Sequence, residues 1–162
     1  MTEVLRRGLL EGVTVAFAGG APEVARVCAD LGAEVGESAA SPDVLVCATA
    51  PAFAAAGGGL DGLRDAEEAA FGATREVASA WIEAGRGGKV VLLAPAAGPE
   101  GAGPLRAALE NLARTLSIEW ARYDIRITAV LPGEDAEAVA TLVAFLASPA
   151  GDYYSGCAFT LS

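Results

Sequence analysis

The chain has 162 residues, enough for one domain (residues 1–162) that buries about two-thirds of its unfolded surface without a disulfide or metal staple. A net charge of −10 with no basic cluster to offset it opposes a phosphate backbone and excludes nucleic acid as a partner. Hydrophobic residues make up 53%, but Ala and Gly inflate that share, and no apolar run reaches the roughly 20 residues that span a bilayer.

The elements follow in chain order. Residues 13–18, Val-Thr-Val-Ala-Phe-Ala, form a β-rich apolar run ending at Gly19-Gly20, and Pro22 opens a helical pattern through Val24, Val27, Cys28 and Leu31. Gly32 stands where a helix C-cap glycine belongs. Ala33-Glu34-Val35 is predicted as a second strand with Glu37 at its end, and Asp43 to Cys47 as a third, buried on both faces. Ala52 to Gly59 reads as a small-residue loop. Leu63, Ala66, Ala70, Phe71, Val77, Ala78, Trp81 and Ile82 then predict one helix over about 60–84, or two with a break near Gly72.

Lys89 to Ala94 is the clearest buried strand, followed by a Pro/Gly-rich stretch from Pro95 to Pro104. Leu105, Leu109, Leu112, Leu116 and Trp120 recur at three- and four-residue steps, which predicts a helix over 104–121 with Pro104 in its first turn. A strand over Ile125 to Leu131, a Pro132-Gly133 turn, a helix over Ala136 to Leu146 and a closing strand over Cys157 to Leu161 complete the chain. Strands alternating with helices predict an α/β fold, a three-layer, doubly wound parallel sheet of about six strands. Residues 1–10 lack the apolar stretch and cleavage site of a signal peptide, so the expected compartment is the cytoplasm. Cys28, Cys47 and Cys157, odd in number and set in apolar sequence, are expected to be buried reduced thiols.

From residue 86 onward these elements resemble the short-chain dehydrogenase/reductase (SDR) family. The matching runs are the strand Gly88-Lys89-Val90-Val91-Leu92-Leu93, the helix Ala107 to Leu116 with Glu119-Trp120-Ala121, and Ile125 to Leu131 ending in Pro132-Gly133. Val139-Ala140, Phe145-Leu146-Ala147-Ser148 and Tyr154-Ser155-Gly156 resemble the family's late helix and final turn. Several signatures in the right order are more specific than any one of them. The first half matches more weakly, through Gly19-Gly20 and Asp43-Val44-Leu45-Val46. The resemblance implies a Rossmann-like sheet lacking the family's usual third strand and its flanking helices, because only seven residues separate Val35 from Asp43.

The family's working residues are missing. Its pyrophosphate loop, Thr-Gly-x-x-x-Gly-x-Gly, is reduced to the vestigial turn Gly19-Gly20 followed by Ala21-Pro22-Glu23, which sets a carboxylate where phosphates would lie. Its Asn-Asn-Ala-Gly appears as Cys47-Ala48-Thr49-Ala50. Its chemistry needs a Tyr general acid, a Lys four residues on, a Ser and an Asn. Lys89, the sole lysine, begins a strand; the Tyr and Lys positions fall on Ala102 and Arg106, the Ser at or near Pro95, and the sole asparagine, Asn111, lies in the wrong helix. No catalytic, cofactor-binding or metal residue is assigned. The acidic groups Glu67-Glu68 and Glu134-Asp135-Glu137 read as solvated residues near helix starts, since the chain has no His.

The elements that persist correspond to those that carry the family's oligomer contacts. The resemblance therefore implies a non-catalytic subunit assembled with a catalytically active SDR paralogue, as a heterodimer or heterotetramer in which NAD or NADP is bound only by the partner. Leu105, Leu109, Leu112, Leu116, Trp120, Trp81, Tyr153 and Tyr154 are the candidate interface, and the chain's acidic surface is expected to oppose like-charged self-pairing. The alternatives are a self-assembled protein holding a small acyl or nucleotide ligand above Ala48 and Ala94, and an enzyme with chemistry relocated to Arg106 and a carboxylate such as Glu100.

Overall fold

The computed structural model describes residues 5–36 and 41–162; Glu37, placed above at the end of the second strand, lies outside them. The elements are β1 (Thr14–Ala18), α1 (Pro22–Asp30), β2 (Glu34–Gly36), β3 (Val44–Ala48), α2 (Ala50–Ala55), α3 (Gly59–Glu83), β4 (Gly88–Leu93), α4 (Ala102–Glu119), β5 (Ile125–Leu131), α5 (Ala136–Ala147) and β6 (Ala158–Thr160), with 3₁₀ turns at Ala121–Tyr123 and Pro149–Tyr153. The strands form one parallel sheet in the order β2-β1-β3-β4-β5-β6. The expected doubly wound α/β architecture is the observed one.

Alternation along the strands splits the core between the two faces. Leu45, Cys47, Val90, Leu92, Ile125 and Ile127 face the layer containing α2, α3 and α4. Val44, Val46, Val91, Leu93 and Val130 face α1 and α5. All of these are buried, which explains why the middle strands read as continuous apolar runs rather than alternating ones. The strand order reverses between β1 and β3, so the crevice beyond the C-terminal strand ends lies between α1 and the later loops.

Three expectations need correction. The stretch from Ala52 is not all loop: Ala50–Ala55 forms α2, started by Pro51 and anchored by Phe53, while Gly57, Gly58 and Gly59 make the turn at positive φ. Alanine is the strongest helix former, so a small-residue run next to a buried ring coils when it has a surface to pack on. Helix α3 passes through Gly72 without a break. Finally, Cys157 is exposed, because it precedes a three-residue edge strand; Cys28 and Cys47 are buried as expected.

Candidate functional site

The C-terminal ends of β1, β3, β4 and β5 converge on the crevice where a Rossmann-like sheet carries its ligand. Gly19 turns the chain out of β1 at φ 81°, and a Cβ there would lie 2.1 Å from the Ala48 carbonyl oxygen, so packing of the turn onto β3 demands glycine. Gly20 has open space around it. Of the vestigial pair, one glycine is held by backbone packing and the other by nothing in the chain.

Helix α1 starts from this turn. Pro22 at its first position contributes no N–H, and Ala21 offers no capping side chain. Glu23 sits in the first turn and pairs with Arg26, whose guanidinium holds the carboxyl below the usual carboxylate range; Arg26 also pairs with Asp30 at 2.9 Å. The anion-binding potential of this helix start is thus taken up by the chain's own carboxylate.

Across the crevice, Arg106 projects from the first turns of α4. Its Nη1 donates to the carbonyl oxygens of Pro95, at 2.8 Å, and Pro132, at 3.0 Å. These two prolines directly follow the ends of β4 and β5, so one cation closes both loops. Arg106 occupies the motif position of the family's lysine, yet its charge is directed at backbone. Ala102, at the tyrosine position, is fully buried, and Pro95, at the serine position, is buried as well. Thr49 is buried and locks β3 to β4, its hydroxyl donating to the Leu93 oxygen at 2.9 Å. Cys47 lies 3.7 Å from the Thr74 hydroxyl, and burial pushes its thiol up to about 11, which leaves it protonated and inert as a nucleophile. Glu100 is exposed and makes no ion pair with Arg106 among the described residues.

Three recesses open at this end. The largest, about 700 Å³, is lined by Phe17, Gly19, Gly20, Ala21, Pro22, Ala25, Val35 and Gly36. A second, of about 270 Å³, lies between α1, Ala48, Ala94 and the start of α5, with Glu23 and Glu134 at its wall. A small third one, about 170 Å³, is walled by Ala18, Ala52, Ala66 and Ala70. No Lys or Arg lines any of them among the described residues, so nothing in the walls offsets a pyrophosphate. The residues present do not fit a dinucleotide in the way a glycine-rich loop does.

The other sequence candidates resolve clearly. Trp81, Leu105, Leu109 and Leu116 are not interface residues: they are buried in this chain's own core. Apolar periodicity marks the face of a helix that is covered, and here the covering surface is the sheet. Trp81 also donates from Nε1 to the Pro42 oxygen at 2.7 Å. Leu112, Trp120 and Tyr154 are half-buried, and Tyr153 is 90% exposed. Tyr154 packs between Phe145 and Phe159, with ring centroids 6.0 and 5.4 Å away. Asp135 is the N-cap of α5, accepting from the Glu137 and Ala138 amides at 3.0 Å, so its role is structural. No group of three His, Cys, Asp or Glu residues is placed to hold a metal among the described residues, and no described helix is long and apolar enough to cross a membrane. Sequence reasoning missed the Arg106 clamp, whose only signal was an arginine one turn into a helix that follows a proline-rich loop.

No family model and no curated protein matches the chain. Among solved structures, BdcA (YjgI) from E. coli aligns with a TM-score of 0.71 at 22% identity, over 94% of this chain and 100% of that one. A hydroxysteroid dehydrogenase from Escherichia coli gives 0.70 at 17% identity, over 96% and 97%. This chain has an SDR-like fold. At such identities the likeness speaks for architecture alone, and the SDR-like crevice is judged by its own residues.

Proposed function

We propose that the chain is a non-catalytic SDR-like subunit that assembles with a catalytically active SDR oxidoreductase paralogue. The observation that carries the reading is Arg106. The one cation at the motif position of the proton-relay lysine is spent on the Pro95 and Pro132 carbonyls, where it closes the crevice instead of facing a ligand. The uncharged recess walls and the carboxylate in the first turn of α1 support the same reading, since a dinucleotide there lacks the contacts that would hold its phosphates. The surface available to the paralogue is the β6 edge, where exposed Tyr153 stands beside the Phe145–Tyr154–Phe159 ring cluster.

Titration calorimetry of the isolated chain with all four nicotinamide cofactors is expected to give no binding, and the chain no carbonyl reduction; micromolar binding or hydride transfer overturns the proposal. Co-expression with an active paralogue is expected to yield a stable complex that Tyr153→Asp weakens, read by light scattering. A second reading is favoured by the recess of about 700 Å³: its apolar lining suits an uncharged small ligand better than a nucleotide. A ligand that co-purifies with the chain and shows no phosphate by mass spectrometry supports it.

A further inference from the structure

Three of the four large hydrophobic side chains exposed among the described residues lie on α3 and α4, namely Leu60 (69%), Phe71 (41%) and Ile118 (78%). On α3 they belong to an ordered pattern. Glu67, Phe71 and Arg75 stand four residues apart and form one ridge, and all three are exposed. Leu60 precedes Phe71 by eleven residues and half-buried Ile82 follows it by eleven, about three turns each, which returns both close to the side that Phe71 occupies. The ridge is thus a palindrome in chemistry, with an acid and a base at equal distances from a central ring and an aliphatic side chain at each end.

Neither Glu67 nor Arg75 takes part in an ion pair or side-chain hydrogen bond among the described residues, although other arginines of the chain do. Beside Phe71 stands Gly72, an exposed glycine in the middle of a 25-residue helix. A Cβ there would meet nothing within 4 Å, and its backbone is not in the positive-φ region, so nothing in the chain calls for the weakest helix former other than proline. The absence of a side chain keeps the approach to Phe71 unobstructed.

We propose that this ridge pairs antiparallel with the same ridge of a second copy of the chain, about a two-fold axis at Phe71. A two-fold interface sets a patch against itself. With the axis at Phe71, Glu67 of each copy meets Arg75 of the other, the two rings meet at the centre, and Leu60 meets Ile82 at either end. The chain's net charge of −10 does not oppose this. Arg64, Glu67, Glu68 and Arg75 sum to zero, whereas Asp61, Asp65, Glu76 and Glu83 lie roughly 80–140° around the helix from Phe71. The expectation that acidity forbids self-pairing fails on this ridge, because charge is distributed by helix face. The pairing is separate from the paralogue complex and leaves the β6 edge free.

Sedimentation velocity of the full chain tests it. The wild-type chain is expected to dimerise within a range up to about 100 μM. Glu67→Arg and Arg75→Glu, each shown by circular dichroism to be folded, are expected to weaken the dimer at least about tenfold, because each sets like charges opposite one another twice. An equimolar mixture of the two variants is expected to recover the wild-type affinity, since position 67 of one then faces the opposite charge at position 75 of the other. A wild-type chain that stays monomeric, variants that dimerise as well as wild type, or a mixture no tighter than its components overturns the proposal. The measurement uses this chain alone, so its failure leaves the paralogue reading untouched, and failure of a paralogue to bind leaves the ridge pairing untouched.

Discussion

The two ends of the sheet are built from different materials. At the N-terminal strand ends, long polar side chains stitch the elements together. Arg86 binds Asp43 and the Pro42 oxygen, Trp81 donates to the same oxygen, Lys89 reaches the Ser148 oxygen at 2.6 Å and Asp152 at 2.7 Å, and Asp43 accepts from the Thr14 amide at 2.9 Å. At the C-terminal ends, where an SDR-like sheet carries its chemistry, the walls are Ala, Gly, Pro and Val, and the single cation is turned onto two carbonyls. The chain's only lysine belongs to the stitched end. Polar side chains here serve stability where a catalyst would spend them on a substrate.

Trp81 offers the largest test of that contrast. It is fully buried, its ring lies 2.4 Å from where a Gly88 Cβ would stand, and its indole holds Pro42, so Trp81→Ala leaves a cavity and an unpaired carbonyl. Urea unfolding is expected to show a loss of about 3–5 kcal/mol. A loss under about 1 kcal/mol would mean that the stitched end is not a structural anchor.

An intermediate effect comes from pH. Burial pushes the Cys28 and Cys47 thiols from 9.0 up to about 11. Below pH 9 both folded and unfolded chains keep these protons, and the stability is fully present. As pH rises toward 11 the unfolded chain ionises first, so stability falls, by about 2–3 kcal/mol per thiol at the upper end. Unfolding curves at pH 8 and 10.5 measure this, and Cys47→Ala should remove its share of the slope. A slope unchanged by that variant would show that the thiol at the site end is more solvated than its burial indicates.

The smallest effect separates the two glycines of the vestigial turn. Gly19→Ala forces a Cβ against the Ala48 oxygen at a positive φ and is expected to cost about 1–3 kcal/mol. Gly20→Ala, in open space, is expected to shift stability by less than about 0.5 kcal/mol. Equal costs would show that the site end is under a constraint the chain itself does not impose.

Much of this molecule was legible without its structure. The buried runs at Val44–Ala48 and Gly88–Leu93, the Pro22 and Gly32 boundaries of α1, and the four-residue steps of α4 announced a parallel sheet between helices, because burial on both faces and the 3.6-residue turn are local constraints written in residue order. The loss of the Tyr, Lys and Ser pattern was also a matter of residue types. What sequence did not determine was the partner of each side chain. Leu105 and Leu109 carry an apolar stripe whichever surface covers it, and only the packed layers decided that the sheet does. Arg106 is one arginine among several until the ends of β4 and β5 come together and present two carbonyls to it. The balance of charge on the α3 ridge is likewise invisible in a net charge of −10, because charge sums along a chain while contacts are made by faces. Periodicity is local and could be read in order; pairing depends on segments distant in sequence, and the fold alone brings them together.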